Sequence, residues 1–517
     1  MRATVSPQRK TTLYDYNGNP VSTTGYITGG SARRSMRGWF PSANSADKDI
    51  IPKIDSLRAS SRDLSMNSPV AAGALLRFKD NVIGYGLFLQ ARIDLNFLGL
   101  NYEQAKTWTL NTEREFKLFA ESPEIDASRT DDFYNLQALT YFSKLQSGDV
   151  FYLLPRIPRQ GVVYDTRVKV LEADMVSNPN NQMDTETLAG GIETDSDGAP
   201  VAYYISKRHP GGLNYFGNEW IKVDAFAPRT GLRQVYHMFD RFRPGQRRGI
   251  PLFAPVIESL KQITRLTESE LMAAVVSSFF TVFIKTQTGD GLSDAFDDST
   301  TAKDPGNIPD DKNIYEIGNG NIIDLANGEE IQLADPKRPN SAYAPFFQVL
   351  VEEIGSAIGM PTEILTLHFQ SSYSAARAAL LMAWKSFMVH RMTIARTFCQ
   401  PIYERWLLEA VLKGRIKAPG FLESAAYRKA WSGAKWLGQG QGQINPVVET
   451  KAAIDKIEAK LSTRSKEVAM MDGDDWDTMI DSAAQEERII RDKFSDISNK
   501  PNNTDVNRPE FKGNPDE

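Results

Sequence analysis

The chain has 517 residues and a mass of 57.8 kDa, enough for about three domains of roughly 150 residues or for one elongated subunit. Hydrophobic residues at 41% and charged residues at 24% describe a globular chain whose core needs no staples. The 60 Lys and Arg against 65 Asp and Glu leave a net charge of −5, which excludes coating nucleic acid by bulk positive charge but not letting a duplex slide past ungripped.

Cys399 is the one cysteine, so no internal disulfide is possible, which fits a reducing compartment. His209, His237, His368 and His390 fall in no HExxH or paired Cys/His spacing, so no metal site is expected. The N-terminus lacks the apolar stretch of a signal peptide. The longest low-polarity run, residues 273–284, is about half of what a bilayer crossing needs. The expectation is a soluble protein made in a cytoplasm, with no membrane contact.

In chain order, residues 1–60 are rich in Ser, Gly, Thr and Pro and read as an N-terminal arm with more basic than acidic residues. Its bland reading is a solvated terminus; the sharper one is contact with nucleic acid or an acidic neighbour. Ser68 and Pro69 signal a helix start, followed by a helix over 70–79. Helical spacing continues over 102–120 and 131–145, with Trp108, Phe116, Phe119, Phe133, Leu136 and Leu139 as candidate core positions. After Gly148 the period changes, and 150–154, 167–171 and 201–205 read as strands. Asp195-Ser-Asp-Gly198 is a hairpin turn that only faintly resembles a calcium loop, lacking the full spacing and the closing Glu. Residues 61–255 thus form one α+β domain.

From Pro251 the helical period returns. Ile257, Leu260, Ile263, Thr267, Leu271, Ala274 and Ser278 make one stripe over some 22 residues. A polar, Gly/Asp-rich insert at 281–336 follows, with strand-like pieces at 281–284, 313–317, 322–325 and 330–333. A second helix over 341–358 carries Phe346, Phe347, Leu350, Val351, Ile354 and Ile358 on its apolar face and ends at Gly359 and Pro361. The insert is therefore a small module held on two helices. Residues 362–374 are a short link with a polar tip. A long helix runs from 375 to 414, which Pro401 kinks or restarts. Trp431 and Trp436 precede a helix over 447–461, and the tail from 466 holds 14 acidic and 7 basic residues, with a disordered end expected.

Catalytic signatures are missing. There is no Walker P-loop and no GxSxG, and Gly438-Gln-Gly-Gln-Gly442 lacks both the GxGxxG spacing and a preceding strand, reading as a flexible turn. No enzyme activity and no cofactor are expected.

Four strings then carry a resemblance: EADMVSNPNN at 172–181, HMFDRFRPGQRRG at 237–249, SYSAARA at 372–378 and the block around Trp431 and Trp436. In these, and in the order of its elements, the chain resembles the lambda-type portal proteins of tailed bacteriophages over about residues 30–480. The resemblance implies an α+β, mostly helical portal fold, with wing at 61–255, stem helices at 256–280 and 337–361, clip at 281–336, tunnel loop at 362–374, long wing helix at 375–415, crown at 416–480 and an acidic tail at 481–517. It implies a homo-oligomeric ring, usually of 12 subunits, at one capsid vertex of the virion, assembled in the host cytoplasm. The ring passes double-stranded DNA during packaging and ejection. Expected partners are the terminase large subunit, the major capsid and scaffolding proteins, and head-completion or tail connector proteins.

On that resemblance Thr366, His368, Gln370, Ser371 and Ser372 face the DNA. Asp290, Asp294, Asp297, Asp298, Asp304, Asp310 and Asp311 of the clip dock the motor and connectors. Two further readings stay open at this point: a ring-forming minor capsid or connector protein that does not conduct DNA, and a stand-alone nucleic-acid enzyme.

Overall fold

The computed structural model describes residues 42–212, 219–278, 282–286, 329–333, 342–369, 372–442 and 445–498. The chain opens with α1 (Ala46–Ile50), α2 (Ile54–Asn67) and α3 (Pro69–Val82). The composition-based arm boundary at residue 60 therefore falls inside α2. Ala46, Ile50, Ile54, Arg58 and Ser61 are all buried at spacings of three and four, a helical stripe that a count over sixty mostly polar residues dilutes. Ser68 is the N-cap of α3 by backbone conformation, but its hydroxyl is buried without a hydrogen-bond partner.

Strand β1 (Phe88–Ala91) and α4 (Leu95–Leu98) lead into α5 (Tyr102–Ala120), which begins on a capping box of Asn101 and Gln104. Next comes α6 (Phe133–Ser147), whose N-cap Asp132 accepts from the Asn135 amide. Of the six expected core residues on α5 and α6, Phe116, Phe119, Phe133 and Leu136 are buried and Trp108 is half-buried. Leu139 instead faces outward, because Leu136 and Thr140 take the inner face of that turn.

The β part holds two antiparallel sheets. In the first, β2 (Asp149–Leu153) lies between β3 (Lys169–Glu172) and β8 (Val235–Phe239). In the second, β4 (Leu188–Ala189), β5 (Ile192–Thr194), β6 (Pro200–Ser206) and β7 (Trp220–Asp224) pair in sequence order. The expected turn at Asp195–Gly198 joins β5 to β6. Gly198 has a φ of 78°, and the Asp195 carboxylate accepts from the amides of Asp197 and Ala199, so this acid serves its own turn. A small core of Phe151, Leu171, Val176, Ile192, Tyr203, Ile205, Ala225 and Val235 lies between the sheets.

Then α7 (Ile257–Ser278) enters β9 (Val282–Thr286), which pairs antiparallel with β10 (Glu329–Leu333), and the chain returns through α8 (Tyr343–Ile358). The strands expected at 313–317 and 322–325 lie outside the described residues. The short helix α9 (Thr362–Thr366) precedes α10 (Tyr373–Ile394) and α11 (Gln400–Leu412). Between the last two the helix does not break but widens into one π turn, Ala395–Cys399. The cause is Pro401, whose ring would strike the Thr397 carbonyl in a regular helix. That carbonyl instead accepts from the Tyr152 hydroxyl at 2.5 Å.

The C-terminal part adds α12 (Ala425–Trp431), β11 (Ala434–Leu437), α13 (Pro446–Glu458), α14 (Arg464–Met471) and α15 (Trp476–Ser498). β11 pairs antiparallel with β1, which ties this part to the start of the chain. The acidic tail expected from 481 is helical to Ser498. The main core is aromatic: Phe116 packs edge-on against Phe133, Tyr403 and Trp406 at 5.0–5.7 Å, joining α5, α6 and α11.

Candidate functional site

The link between α8 and α10 is built on a rigid base. α8 ends because Gly359 takes a left-handed φ of 74°, and the Gly355 carbonyl accepts from the Met360 amide at 2.9 Å. A Cβ on Gly355 would stand 2.6 Å from the Met360 carbonyl, so this tight return needs glycine. Met360, Ile364 and Leu365 are buried and plug α9 into the main core. Leu367 then adopts a φ of 55° and ends α9, and the chain emerges with Leu367, His368 and Phe369 exposed.

The polar residues expected to face DNA divide into three groups. Thr366 donates its hydroxyl to the Thr362 carbonyl at 2.8 Å, and the Ser372 hydroxyl accepts from the Ala375 amide as the N-cap of α10. His368 lines an open groove of about 740 Å³ with Phe347, Gln348, Val351, Glu352 and Glu363. Gln370 and Ser371 lie outside the described residues. So do Asp290, Asp294, Asp297, Asp298, Asp304, Asp310 and Asp311.

α10 carries the link and is clamped at its far end by Arg391. That guanidinium donates to the carbonyls of Asn81, Val82 and Gln439 at 2.8–2.9 Å and lies over the Trp384 ring. Burial pulls its pKa down to about 10. Gly438 makes room for it, since a Cβ there would come within 3.2 Å of the guanidinium carbon. The GQGQG stretch is thus packed rather than flexible: Gly440 lies against the 471–472 backbone, Gly473 lies against the 438–440 backbone, and the Gln441 amide donates to the Met470 carbonyl at 3.1 Å.

The string HMFDRFRPGQRRG folds onto one buried carboxylate, Asp149, at the start of β2. Arg248 and Arg58 donate to it at 2.6 and 2.8 Å, the Gly249 amide at 3.2 Å, and the His237 ring lies 3.2 Å away. Burial alone would raise the Asp149 pKa, but Arg248, Arg58 and His237 hold it well below the usual carboxylate range. Burial lowers the pKa of His237 in spite of that neighbour, as expected where two arginines already balance the carboxylate. Arg248 also donates to the carbonyls of Ala173, Val176 and Gly190, and Gln246 braces the loop through the Arg248 carbonyl. A Cβ on Gly249 would stand 2.1 Å from the Gly148 carbonyl.

The second string joins the same knot. Asn178 accepts from the Gly191 amide at 2.7 Å and donates to the Gln182 carbonyl and to Asp184. Both strings are therefore joints between the two sheets and α2. Asp149 and Arg58, the other half of the first joint, carry no motif of their own and are invisible in sequence.

Glu172, Asp174 and His209 bring three possible metal ligands within 4.8 Å of one another. Arg62 already donates to Asp174 and lies 3.9 Å from Glu172, so a guanidinium supplies the positive charge there. No described helix is long and apolar enough to cross a membrane.

The sequence profile of the family described as phage portal protein, lambda family, matches residues 32–391. The chain belongs to that portal family. Its relatives include the portal protein of Escherichia phage N15, 28% identical over 492 residues that cover 91% of this chain and 90% of that one. Portal protein B of Escherichia phage lambda is 27% identical over the same coverage. A solved chain from the neck of a native gene transfer agent particle superposes with a TM-score of 0.42 at 13% identity, covering 80% of this portal chain and 92% of its own. That overlap is too loose to add to the assignment.

Proposed function

We propose that twelve copies of this portal protein close into a ring at one capsid vertex of the virion, and that viral DNA enters and leaves through the ring axis. The ring is assembled in the host cytoplasm among the major capsid and scaffolding proteins. The subunit is a conduit and docking platform without catalytic activity of its own. The insert at 281–336 receives the terminase large subunit and later the head-completion or tail connector proteins, and the link at 362–374 lines the path of the duplex.

The observation that supports a ring is the unfinished packing of α7 and α8. Leu260 and Ile263 at the start of α7, and Val351 and Ile354 in the second half of α8, are buried in the subunit. Toward the insert the same helices leave Leu271, Met272 and Val275 exposed on α7, and Phe346 and Val349 on α8. A helix pair with apolar residues on its outer sides suits a heterologous contact, in which one patch meets a different patch on the next copy and rotation closes the ring. At 22 residues α7 spans about 33 Å, long enough to wall a channel. The net charge of −5 also suits a channel that must not hold phosphate tightly.

Mass measurement in solution with negative-stain imaging tests this. Closed rings with a central hole of about 20 Å or more, wide enough for B-form DNA, are the expected result. A chain that stays monomeric at micromolar concentration at every salt concentration overturns it.

A further inference from the structure

α7 and α8 face each other where the Thr267 and Tyr343 hydroxyls lie 3.2 Å apart. At about 100° per residue, Lys261 and Arg265 stand about 120° and 160° around α7 from Thr267. Gln348 and Glu352 stand about 140° and 180° around α8 from Tyr343. The helix pair therefore turns two cations out on one flank and a carboxylate out on the opposite flank, all of them exposed.

The two flanks are complementary. On α7 Glu258, Lys261, Arg265, Glu268 and Met272 follow one another at steps of three and four. Lys261 and Arg265 form no ion pair among the described residues. Glu258 and Glu268 bracket them, so only the stretch between suits a carboxylate. On the other flank the open groove between α8 and α9 has Ala344, Phe347 and Val351 on its α8 side, with Glu352 and Glu363 at its inner end. Glu352 accepts from Gln348 of its own helix at 3.0 Å, and neither acid forms an ion pair among the described residues.

From the insert end toward the core the two flanks also run in the same order. Met272 comes before Arg265 and Lys261 on α7, and Ala344 and Phe347 come before Glu352 and Glu363 in the groove. Met272 to Arg265 is about 10 Å of helix and Ala344 to Glu352 about 12 Å, so the apolar and charged ends can meet together.

We propose that α7 of the adjacent copy of this chain seats in the α8–α9 groove, with Lys261 and Arg265 against Glu352 and Glu363 and Met272 over Ala344 and Phe347. This rests on the ring reading and names the two different patches that it leaves open. Rotation about one axis makes neighbouring copies run the same way, which is the direction that the shared order requires. Because the cations leave one flank and the carboxylates the other, the same contact repeats from copy to copy until the ring closes.

Assembly of the full chain tests it. One variant carries Lys261→Glu with Arg265→Glu, and a second carries Glu352→Lys with Glu363→Lys. Each alone sets like charges against one another and should lower the assembled fraction at least about tenfold at low salt. Mixed one to one they should assemble again, because each then offers the flank that the other needs. A third variant, Met272→Cys with Ala344→Cys, leaves the charges alone. Cys399 is fully buried, and burial raises its thiol pKa well above the usual value, so the added thiols report alone. A short bis-maleimide should join this variant into a ladder of covalent oligomers beyond the dimer, and neither single cysteine should give one.

Parental assembly by both charge variants, or a mixture of the two that stays apart with its helix content intact, overturns the groove contact and leaves the ring reading standing. So does the absence of a ladder from a particle whose mass shows it assembled. Where a charge variant loses helix content, the ladder alone decides. A parent chain that stays monomeric overturns both readings.

Discussion

Arg248 Nε stands 2.6 Å from Asp149 Oδ2, with the two side chains 2% and 0% exposed. Taking both charges out of water is costly, so the pair holds only because the rest of the cluster completes it. Arg58 brings α2 to the carboxylate, His237 brings β8, and Arg248 reaches three carbonyls from other loops. One ionised side chain thus fixes the relative positions of α2, both sheets and the loop before α7.

Asp149→Asn should therefore destabilise the subunit by about 3–5 kcal/mol, because it strands two buried guanidinium groups. Asp55→Asn is the control. Asp55 also pairs with Arg58, at 3.8 Å, but is 93% exposed, so its loss should be close to neutral. Chemical denaturation of the two variants measures the contrast. Similar losses in both would mean that Asp149 does not hold the joint.

Glu113 gives a pH dependence of opposite sign to that of Asp149. Burial pushes its carboxyl up to about 7, with the Ala91 amide at 2.7 Å opposing and the Asp475 carboxylate adding to the rise. A carboxyl whose folded pKa exceeds its unfolded value takes up a proton on folding. Its contribution is greatest below about pH 4.5 and is lost as pH rises through about 7. Asp149, held low, contributes above the normal carboxylate pKa and loses that contribution as pH falls. Glu113→Gln keeps an acceptor for the Ala91 amide and removes the titration. At pH 8 it should be more stable than the parent by about 1 kcal/mol or more, and at pH 4 no different. Thermal melts at the two pH values read this directly, and a gain of equal size at both would exclude titration of Glu113 as the cause.

Much of the helical frame was legible because its periods are strong. The bounds of α5 match the spacing, and Gly359 ends α8 by the left-handed turn that its position suggests. The π turn was only half visible. Pro401 announces a disturbance, but the Tyr152 hydroxyl that makes the continuous helix tolerable lies 245 residues away. The same distance effect hid the site. Arg391 reads as one more helix cation, yet it joins α3, α10 and the GQGQG stretch through carbonyls that have no sequence signature. The family strings were visible as strings, whereas their role in joining sheets required Asp149 to be placed beside them.

The exposed apolar residues of α7 and α8 can be tested singly. Leu271 is 64% exposed and Val349 is 59% exposed, so Leu271→Asp or Val349→Asp should leave the subunit's helix content unchanged. In a ring contact each would bury an unpaired carboxylate and should lower the assembled fraction at least about tenfold. Sedimentation and circular dichroism separate the two effects. Unchanged assembly by both variants would place the contact elsewhere.

The proposed docking role of the insert is tested by removing residues 289–301, which include Asp290, Asp294, Asp297 and Asp298. Rings should still form, because the apolar faces of α7 and α8 remain, while DNA packaging is abolished. Packaging at the parental rate by intact rings of the deletion variant would reject that role for the deleted stretch.

The link supplies the last prediction. Its base is fixed by Met360, Ile364 and Leu365, and its far end by the Ser372 cap. Residues 362–374 contain no Lys or Arg, so a duplex passing there meets no fixed positive charge. Gln370→Lys with Ser371→Lys adds two per subunit. Each can pair with phosphate, and every such contact must be broken before the duplex advances. DNA passage should slow several-fold at low salt and recover toward the parental rate as salt is raised, because the attraction is screened over about 10 Å at 0.1 M. Single-particle packaging rates over a salt series measure it. A rate unchanged at every salt concentration would mean that the link does not line the path of the DNA, and an equal slowing at all salt concentrations would point to a distorted subunit rather than to phosphate.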